Sequence, residues 1–247
     1  MSTSVEKALQ IIVQLAGESM SGSELARRLD VHRSTSSRLL QTLEEYQFVS
    51  RDVDGDLHLG SFFASLPLMD LRRTEIVRAA RPHLEALGAS TGHTIHLAGL
   101  EPTRVAYWDK IESRQTIRMY STIGATATPY ATGVGKAILA HLDERRRRAM
   151  CGEEPFEGFT SHTHRTYGSL LTDLDRIAAE GWALDDEEHE AHIHCIAAPI
   201  FDSAGSVVAA VSITAPQMLV SPDQLRGMAP ELRHAAQNIT TDLGDLS

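Results

Sequence analysis

Residues 21–60 run Ser21-Gly-Ser-Glu-Leu-Ala-Arg-Arg-Leu29, Asp30-Val-His-Arg33, Ser34-Thr-Ser-Ser-Arg-Leu-Leu-Gln-Thr-Leu43 and, after Glu44-Glu-Tyr-Gln47, Phe48-Val-Ser-Arg-Asp-Val-Asp-Gly-Asp-Leu-His-Leu-Gly60. Ser21 or Ser23 can cap a short helix whose first turn holds Glu24 and whose apolar side is Leu25, Ala26 and Leu29. A polar turn follows. A second helix then opens at Ser34 or just before it and buries Leu39, Leu40 and Leu43. Two short strands, Phe48–Arg51 and Asp56–Gly60, flank Asp54-Gly55, a strong hairpin signal. Upstream, Val5, Ala8, Leu9, Ile12, Val13, Leu15 and Ala16 keep helical spacing up to Gly17. Three helices and a glycine-tipped hairpin form the order of a winged helix-turn-helix, whose third helix reads the major groove.

The side chains such a helix would present are His32, Arg33, Ser34, Thr35, Ser36, Ser37 and Arg38. Arginine grips guanine O6 and N7 bidentately, and serine or threonine bonds phosphates or bases. Arg27 and Arg28 are candidate phosphate contacts, and Arg51 is the candidate on the hairpin, with His58 beside it. Three aspartates on the hairpin oppose phosphate, so the wing is expected to contribute little else. The chain as a whole carries −10 over 247 residues, which runs against DNA binding on bulk charge. Locally the balance reverses: residues 21–43 hold Arg27, Arg28, Arg33 and Arg38 against Glu24 and Asp30. A dimer would double that excess.

Composition, 42% hydrophobic and 23% charged, is that of a soluble protein in one or two domains. No apolar run approaches the roughly 20 residues of a membrane-spanning helix, and no membrane partner is expected. A secretory leader is not expected either, because Met1-Ser-Thr-Ser-Val-Glu-Lys lacks a basic and then an apolar region. Two cysteines, Cys151 and Cys195, make no disulfide framework and point to the cytoplasm.

Helical spacing resumes over Ser61–Gly88, where Pro67 and Pro82 are expected to break it into pieces. Strand-like runs follow at His93–Leu100, Arg104–Ile111 and Thr116–Ser121, then at Trp182–Asp186, Ile193–Phe201 and Val207–Thr214. Helices are expected at Gly133–Leu142, Asp143–Met150, Ser169–Gly181 and, in one closing piece, Ser221–Leu243. The fold class is α+β: a mostly antiparallel sheet with helices packed against it. The domains read as 1–60, the DNA-reading unit; 61–80, a linker helix; and 81–247, a ligand-binding domain.

Several segments together strongly resemble the IclR family of transcription regulators, over nearly the whole chain. They are Ser4-Val-Glu-Lys-Ala-Leu-Gln-Ile, Ser23-Glu-Leu-Ala-Arg-Arg-Leu, the Ser34–Leu43 run and the hairpin ending Leu59-Gly60. Further on come Arg118-Met-Tyr-Ser, Ala131-Thr-Gly-Val-Gly-Lys-Ala-Ile-Leu-Ala, Asp185-Asp-Glu-Glu-His-Glu and Cys195-Ile-Ala-Ala-Pro-Ile. The resemblance implies a GAF-like effector domain, a homodimer or a dimer of dimers, and a pseudo-palindromic double-stranded DNA operator. It also implies a small-molecule effector from catabolism or detoxification, with repression the expected sign and no required cofactor. By resemblance the effector-binding residues are Gly133, Val134, Asp185, Cys195, Ser212 and Thr214. Ser212 and Thr214, two apart on a strand, share a face. Gly133 and Val134 open a helix, where free N–H groups suit an oxygen. Met119, Tyr120 and Tyr130 are expected to supply apolar wall.

One segment departs from the family. Where relatives carry Pro-Gly-Val/Leu-Arg before the cysteine, this chain has Ala191-His192-Ile193-His194-Cys195. His192 and His194 are therefore minority candidates for a Zn²⁺ site, with Cys195, Glu190 or His96. On a regular strand both rings would share a side and Cys195 would face away; polar histidines at a strand end are the simpler reading. Gly133-Val-Gly-Lys136 lacks phosphate-loop spacing, and no nucleophile elbow or zinc-protease motif occurs. An enzyme is not expected. Arg145 to Arg148 would spread around a helix and reads as a solvated face.

Overall fold

The computed structural model describes residues 4–29, 31–115 and 121–245, without the side chains at 33, 64–70 and 245. It divides into two units, one up to Arg72 and one from Arg73 onward.

In the first unit the expected helices form as α1 (Ser4–Gly17), α2 (Gly22–Arg28) and α3 (Arg33–Glu45). Ser21 caps α2, its hydroxyl accepting the Glu24 N–H at 3.2 Å. The hairpin is β1 (Val49–Arg51) and β2 (Leu57–Leu59), antiparallel with Val49 opposite Leu59. Gly55 turns it at φ +86°, and the Asp52 carboxylate accepts the N–H groups of Asp54 and Asp56 at 3.0 and 2.9 Å. At the other end a Cβ on Gly60 would lie 2.0 Å from the Gln47 carbonyl oxygen, so only glycine fits there. Ile11, Leu15, Leu25, Leu40, Leu43, Val49 and Leu57 make the core.

Helix α4 (Ser61–Thr91) begins in the first unit and ends in the second. It is one helix containing both Pro67 and Pro82, contrary to the break expected at each proline. A proline φ is compatible with a helix; what is lost is one N–H and some steric room. On either side of Pro82 that loss is offset by a buried row, Ile76, Ala80, Leu84 and Leu87, at helical spacing.

The second unit is built on a six-stranded sheet. Its strands are β3 (Thr94–Leu100), β4 (Val105–Ile111), β5 (Thr126–Ala127), β6 (Ala183–Asp186), β7 (Ile193–Phe201) and β8 (Val207–Pro216). The order is β5-β4-β3-β8-β7-β6, with antiparallel neighbours throughout. The remaining helices are α5 (Gly133–Leu139), α6 (Glu144–Cys151), α7 (Tyr167–Glu180), α8 (Pro222–Gly227) and α9 (Ala229–Asp245). The closing helix is thus two pieces. Pro230, without an N–H, suits the first turn of α9 better than the middle of one long helix.

Alternation along the strands sends Ile95, Leu97, Ile196, Ala198, Val211 and Ile213 to one face, against α4, α8 and α9. The opposite face presents small residues, Ala98, Ala197 and Ala210, to α5 and α7. Small side chains let α5 approach closely, and all seven of its residues are buried. The result is three layers, helix, sheet, helix, with the sheet's second face closed over by a short helix.

Candidate DNA-reading helix and effector site

His32, the N-cap of α3, and Ser34, Thr35, Ser37 and Arg38 on the helix are exposed. Ser36 does not join them. It is 2% exposed and stands four and seven residues before Leu40 and Leu43, on the inward face. Arg33 opens α3, but its side chain lies outside the described residues. The flanking arginines are engaged within the unit. Arg27 holds Glu24 at 2.7 Å, Arg28 holds Glu18 and Glu24 at 2.5 and 2.9 Å, and Arg51 holds Glu44 at 2.7 Å. All four pairs are solvated, and such pairs are cheap to exchange for another anion. The His58 ring lies 2.9 Å from the Asp52 carboxylate, so one wing acid both braces the turn and holds that ring.

The arginine run on α6 is structural in part. Arg147 donates to the carbonyls of Leu139 and Ala140 at 2.9 and 2.8 Å, closing the end of α5. The Arg148 guanidinium lies 4.0 Å above the Tyr167 ring.

The sheet face beneath α5 carries a row of polar residues. Strand register places Asp185 opposite Cys195, Cys195 opposite Thr214, and Thr214 opposite Thr94. One step along, Ser212 lies opposite His96. Three strands thus bring Asp185, Cys195, Ser212 and Thr214 to one face. Gly133 closes on it so tightly that an added Cβ would stand 2.9 Å from the Cys195 sulfur. Val134 packs into the adjoining core.

Thr94, His96 and Tyr107 belong to the same face and were not among the expected effector residues. Thr94 and His96 had a visible signal, two polar residues at alternate positions of an apolar strand. The His96 Nδ1 is 3.5 and 3.4 Å from the hydroxyls of Ser212 and Thr214, and its Nε2 is 2.7 Å from that of Ser121. The Tyr107 ring stands 5.0 Å from the His96 ring. The Thr94 hydroxyl is buried with no hydrogen-bond partner. Tyr130 is used elsewhere: its ring stacks on Phe156 at 4.6 Å and its hydroxyl donates to the Glu157 carbonyl at 3.2 Å. Met119 and Tyr120, with most of the strand expected at Thr116–Ser121, lie outside the described residues.

Burial governs the charges here. It pushes the Asp185 carboxyl up to about 7, helped by Glu188 and opposed by Lys136. It holds the His96 imidazole down to about 3, with Lys110 adding to the effect, so the ring is neutral. The Cys195 thiol is pushed up to about 12 by burial and by Asp185, and is unreactive.

A second polar cluster adjoins the first. Lys136, one turn into α5, is fully buried, with its ammonium 2.6 Å from Asp173 Oδ2 and 2.5 Å from Glu188 Oε1. Burial raises Asp173, but His164, Lys136 and Arg176 outweigh it and hold the carboxyl well below its usual range. His164 Nε2 is 3.6 Å from Asp173 and 3.7 Å from Glu188. Among the described residues, His164, Asp173 and Glu188 are the group whose ligand atoms lie close enough for a metal ion. The Lys136 ammonium already supplies the positive charge such a group attracts. His192 and His194 are not part of it. His192 sits at φ +65° before β7 begins and is exposed, so regular alternation does not align it with His194. His194 is buried against Asp186, at 2.9 Å.

A winged helix-turn-helix joined to a sheet domain with a buried polar face is the build of a ligand-responsive DNA-binding transcription regulator, not of an enzyme. The family model for the IclR helix-turn-helix domain matches residues 4–53, and that for the bacterial transcriptional regulator IclR C-terminal domain matches residues 69–241. The chain belongs to the IclR family. It is 31% identical to the HTH-type transcriptional regulator KdgR of Escherichia coli, over 98% of this chain and 93% of KdgR. The solved IclR of Thermotoga maritima is 30% identical, with TM-score 0.65 over 97% of this chain and 98% of that one. An IclR homologue of Microbacterium hydrocarbonoxydans, complexed with 4-hydroxybenzoate, shares the fold at 22% identity, with TM-score 0.64 over 99% and 100% of the two chains. No described helix is long and apolar enough to cross a membrane.

Proposed function

We propose that the chain is a cytoplasmic repressor that binds a pseudo-palindromic operator as a homodimer or a dimer of dimers and is controlled by a small oxygen-rich effector. In this reading residues 1–60 read DNA, 61–80 link, and 81–247 sense. Base edges are met by Arg33 and Arg38 with His32, Ser34, Thr35 and Ser37, and phosphates by Arg27, Arg28 and Arg51 exchanging their carboxylate partners. The effector contacts Asp185, Cys195, Ser212, Thr214 and His96 beneath Gly133 and Val134. The observation that carries it is the polar row Asp185–Cys195–Thr214, assembled from three strands on one buried face. Burying polar groups is costly without partners, and an oxygen-rich ligand supplies them. No metal or cofactor is required.

The test is a gel shift on DNA from upstream of the chain's own gene, at physiological salt with nonspecific competitor. A discrete, competitor-resistant complex is expected. Arg33→Ala or Arg38→Ala should weaken it by about 1–3 kcal/mol if the residue pairs with guanine. Unchanged affinity in both variants overturns the assignment of α3. Small hydroxy and keto carboxylates, 4-hydroxybenzoate among them, are then screened for release of the complex. Bulky replacements of Ser212 should abolish that release and leave DNA binding intact.

A further inference from the structure

We infer that Lys136 and Glu188 act as a pair to set the charge on Asp185, and so decide whether the effector site meets its ligand as a hydrogen-bond donor or as an anion. The inference rests on Asp185 belonging to the effector site.

The geometry begins with an unequal count of charges. Asp173 and Glu188 share the buried Lys136 ammonium, Asp185 lies close by, and Arg176, at the cluster's more exposed edge, is divided between Asp173 and Glu180. Arg176 grips Asp173 through Nη2 and Nε at 2.8 and 3.2 Å. Lys136 bridges Asp173 and Glu188. Asp185, 6% exposed, is the carboxyl that neither cation reaches by an ion pair among those of the described residues. Its tie to the cluster is indirect: the Glu188 N–H donates to Asp185 Oδ1 at 2.8 Å, and the Glu188 carboxylate holds Lys136. Glu188 therefore presents Asp185 with a backbone donor and, close by, a like charge.

The groups facing Asp185 come from every neighbouring element. Its own turn contributes Glu188 and the His189 N–H; α5 contributes Lys136; β7 contributes Cys195; β4 contributes Tyr107. Asp173 and His164 stand beyond Lys136. Burial and Glu188 favour the protonated acid, and Lys136 favours the carboxylate. The balance leaves Asp185 at about 7. Protonated, it donates to a carboxylate or carbonyl oxygen, alongside the hydroxyls of Ser212 and Thr214. Ionised, it accepts from a hydroxyl or amine and repels an anion. An anionic effector would then bind with uptake of a proton, and its affinity would fall as pH rises past the Asp185 midpoint. Lys136 and Glu188 are thus positioning residues for charge, acting on Asp185 in opposite directions.

The test removes each partner of the pair in the intact protein and reads Asp185 with protons as the only probe. With carboxyl-¹³C aspartate, the Asp185 signal is assigned by its loss in Asp185→Asn and titrated across roughly pH 5–9. The wild-type midpoint is expected near 7. Glu188→Gln keeps the backbone donor and removes the like charge, so the midpoint should fall by about one unit or more. Lys136→Met should move it the other way. A pair with only a structural role would leave the midpoint in place or shift it in one direction for both variants, and either result overturns the inference. If Lys136→Met does not fold, Glu188→Gln decides alone: a downward shift supports the pair, and an unmoved midpoint refutes it. The titration is read without effector, so it stands apart from the gel-shift screen that tests the effector site itself.

Discussion

The two units of this chain use the same polar residue types under opposite conditions of solvent. Around α3 the charges are outside. Arg27, Arg28 and Arg51 hold glutamates in water, where each pair gains little and can be given up to a phosphate. Beneath α5 the polar groups are inside. Asp185, Thr94, His96, Ser212 and Thr214 are all buried, and desolvation is the largest influence on the charge of Asp185 and His96. An exposed ion pair is a loosely held reserve of charge, whereas a buried polar row is a standing cost that a ligand can relieve. Binding of a polyanion and binding of a small molecule therefore draw on different physics within one chain.

The contrast is tested most severely by matched removal of one cation from each unit. Lys136→Met leaves Glu188 buried beside an unneutralised neighbour and should cost about 3–5 kcal/mol in urea denaturation. Arg51→Met, which breaks a solvated pair with Glu44, should cost about 0–1 kcal/mol. Equal losses would mean that Lys136 is better solvated than its full burial implies.

A smaller and pH-dependent effect is expected at His96. Its folded-state midpoint is depressed to about 3 from 6.5, so between those values the unfolded chain holds a proton that the native chain does not. Stability from this group is therefore present above about pH 6.5 and is lost as pH falls toward 3. His96→Gln keeps a donor and an acceptor but cannot titrate. Its unfolding free energy should match wild type near neutrality and exceed it at about pH 4, by a margin of order a few kcal/mol. Parallel acid-dependence in the two proteins would show that water reaches the imidazole.

These residues also mark what could be read from the sequence. The winged unit was legible because its signals are local: Ser21 caps, Leu40 and Leu43 set a face, and Gly55 turns a hairpin. The sheet domain was legible in its alternation, but its site was reached at residue level through family likeness. The row from Asp185 to Thr94 exists only once four strands are in register. Lys136 is the clearest case of what local pattern hides. Its partners are 37 and 52 residues away, and an isolated lysine near a helix start reads as solvated. Pro82 of α4 misled for the same reason in reverse: a local penalty was outweighed by burial of Ile76, Ala80 and Leu84 against a sheet that forms later in the chain. The resemblance supplied a glycine and an arginine before Cys195, and this chain puts His192 and His194 there, a substitution nothing in the structure explains.

The smallest expected effect sharpens the comparison within a single helix. Ser34, Thr35, Ser36 and Ser37 form an unbroken hydroxyl run, and composition alone would assign all four to DNA. Helical geometry separates them, since residue 36 shares a face with Leu40 and Leu43 while its neighbours point outward. The Ser36 hydroxyl is buried and without a hydrogen-bond partner, so it carries the cost of desolvation and none of the benefit of a base contact. Ser36→Ala should therefore leave operator affinity unchanged in the gel shift and stability unchanged or raised by up to about 1 kcal/mol. Ser37→Ala, one residue on, should weaken the complex without altering stability. If the two variants behaved alike on DNA, the inward face of α3 would have to be redrawn, and with it the row of side chains offered to the groove.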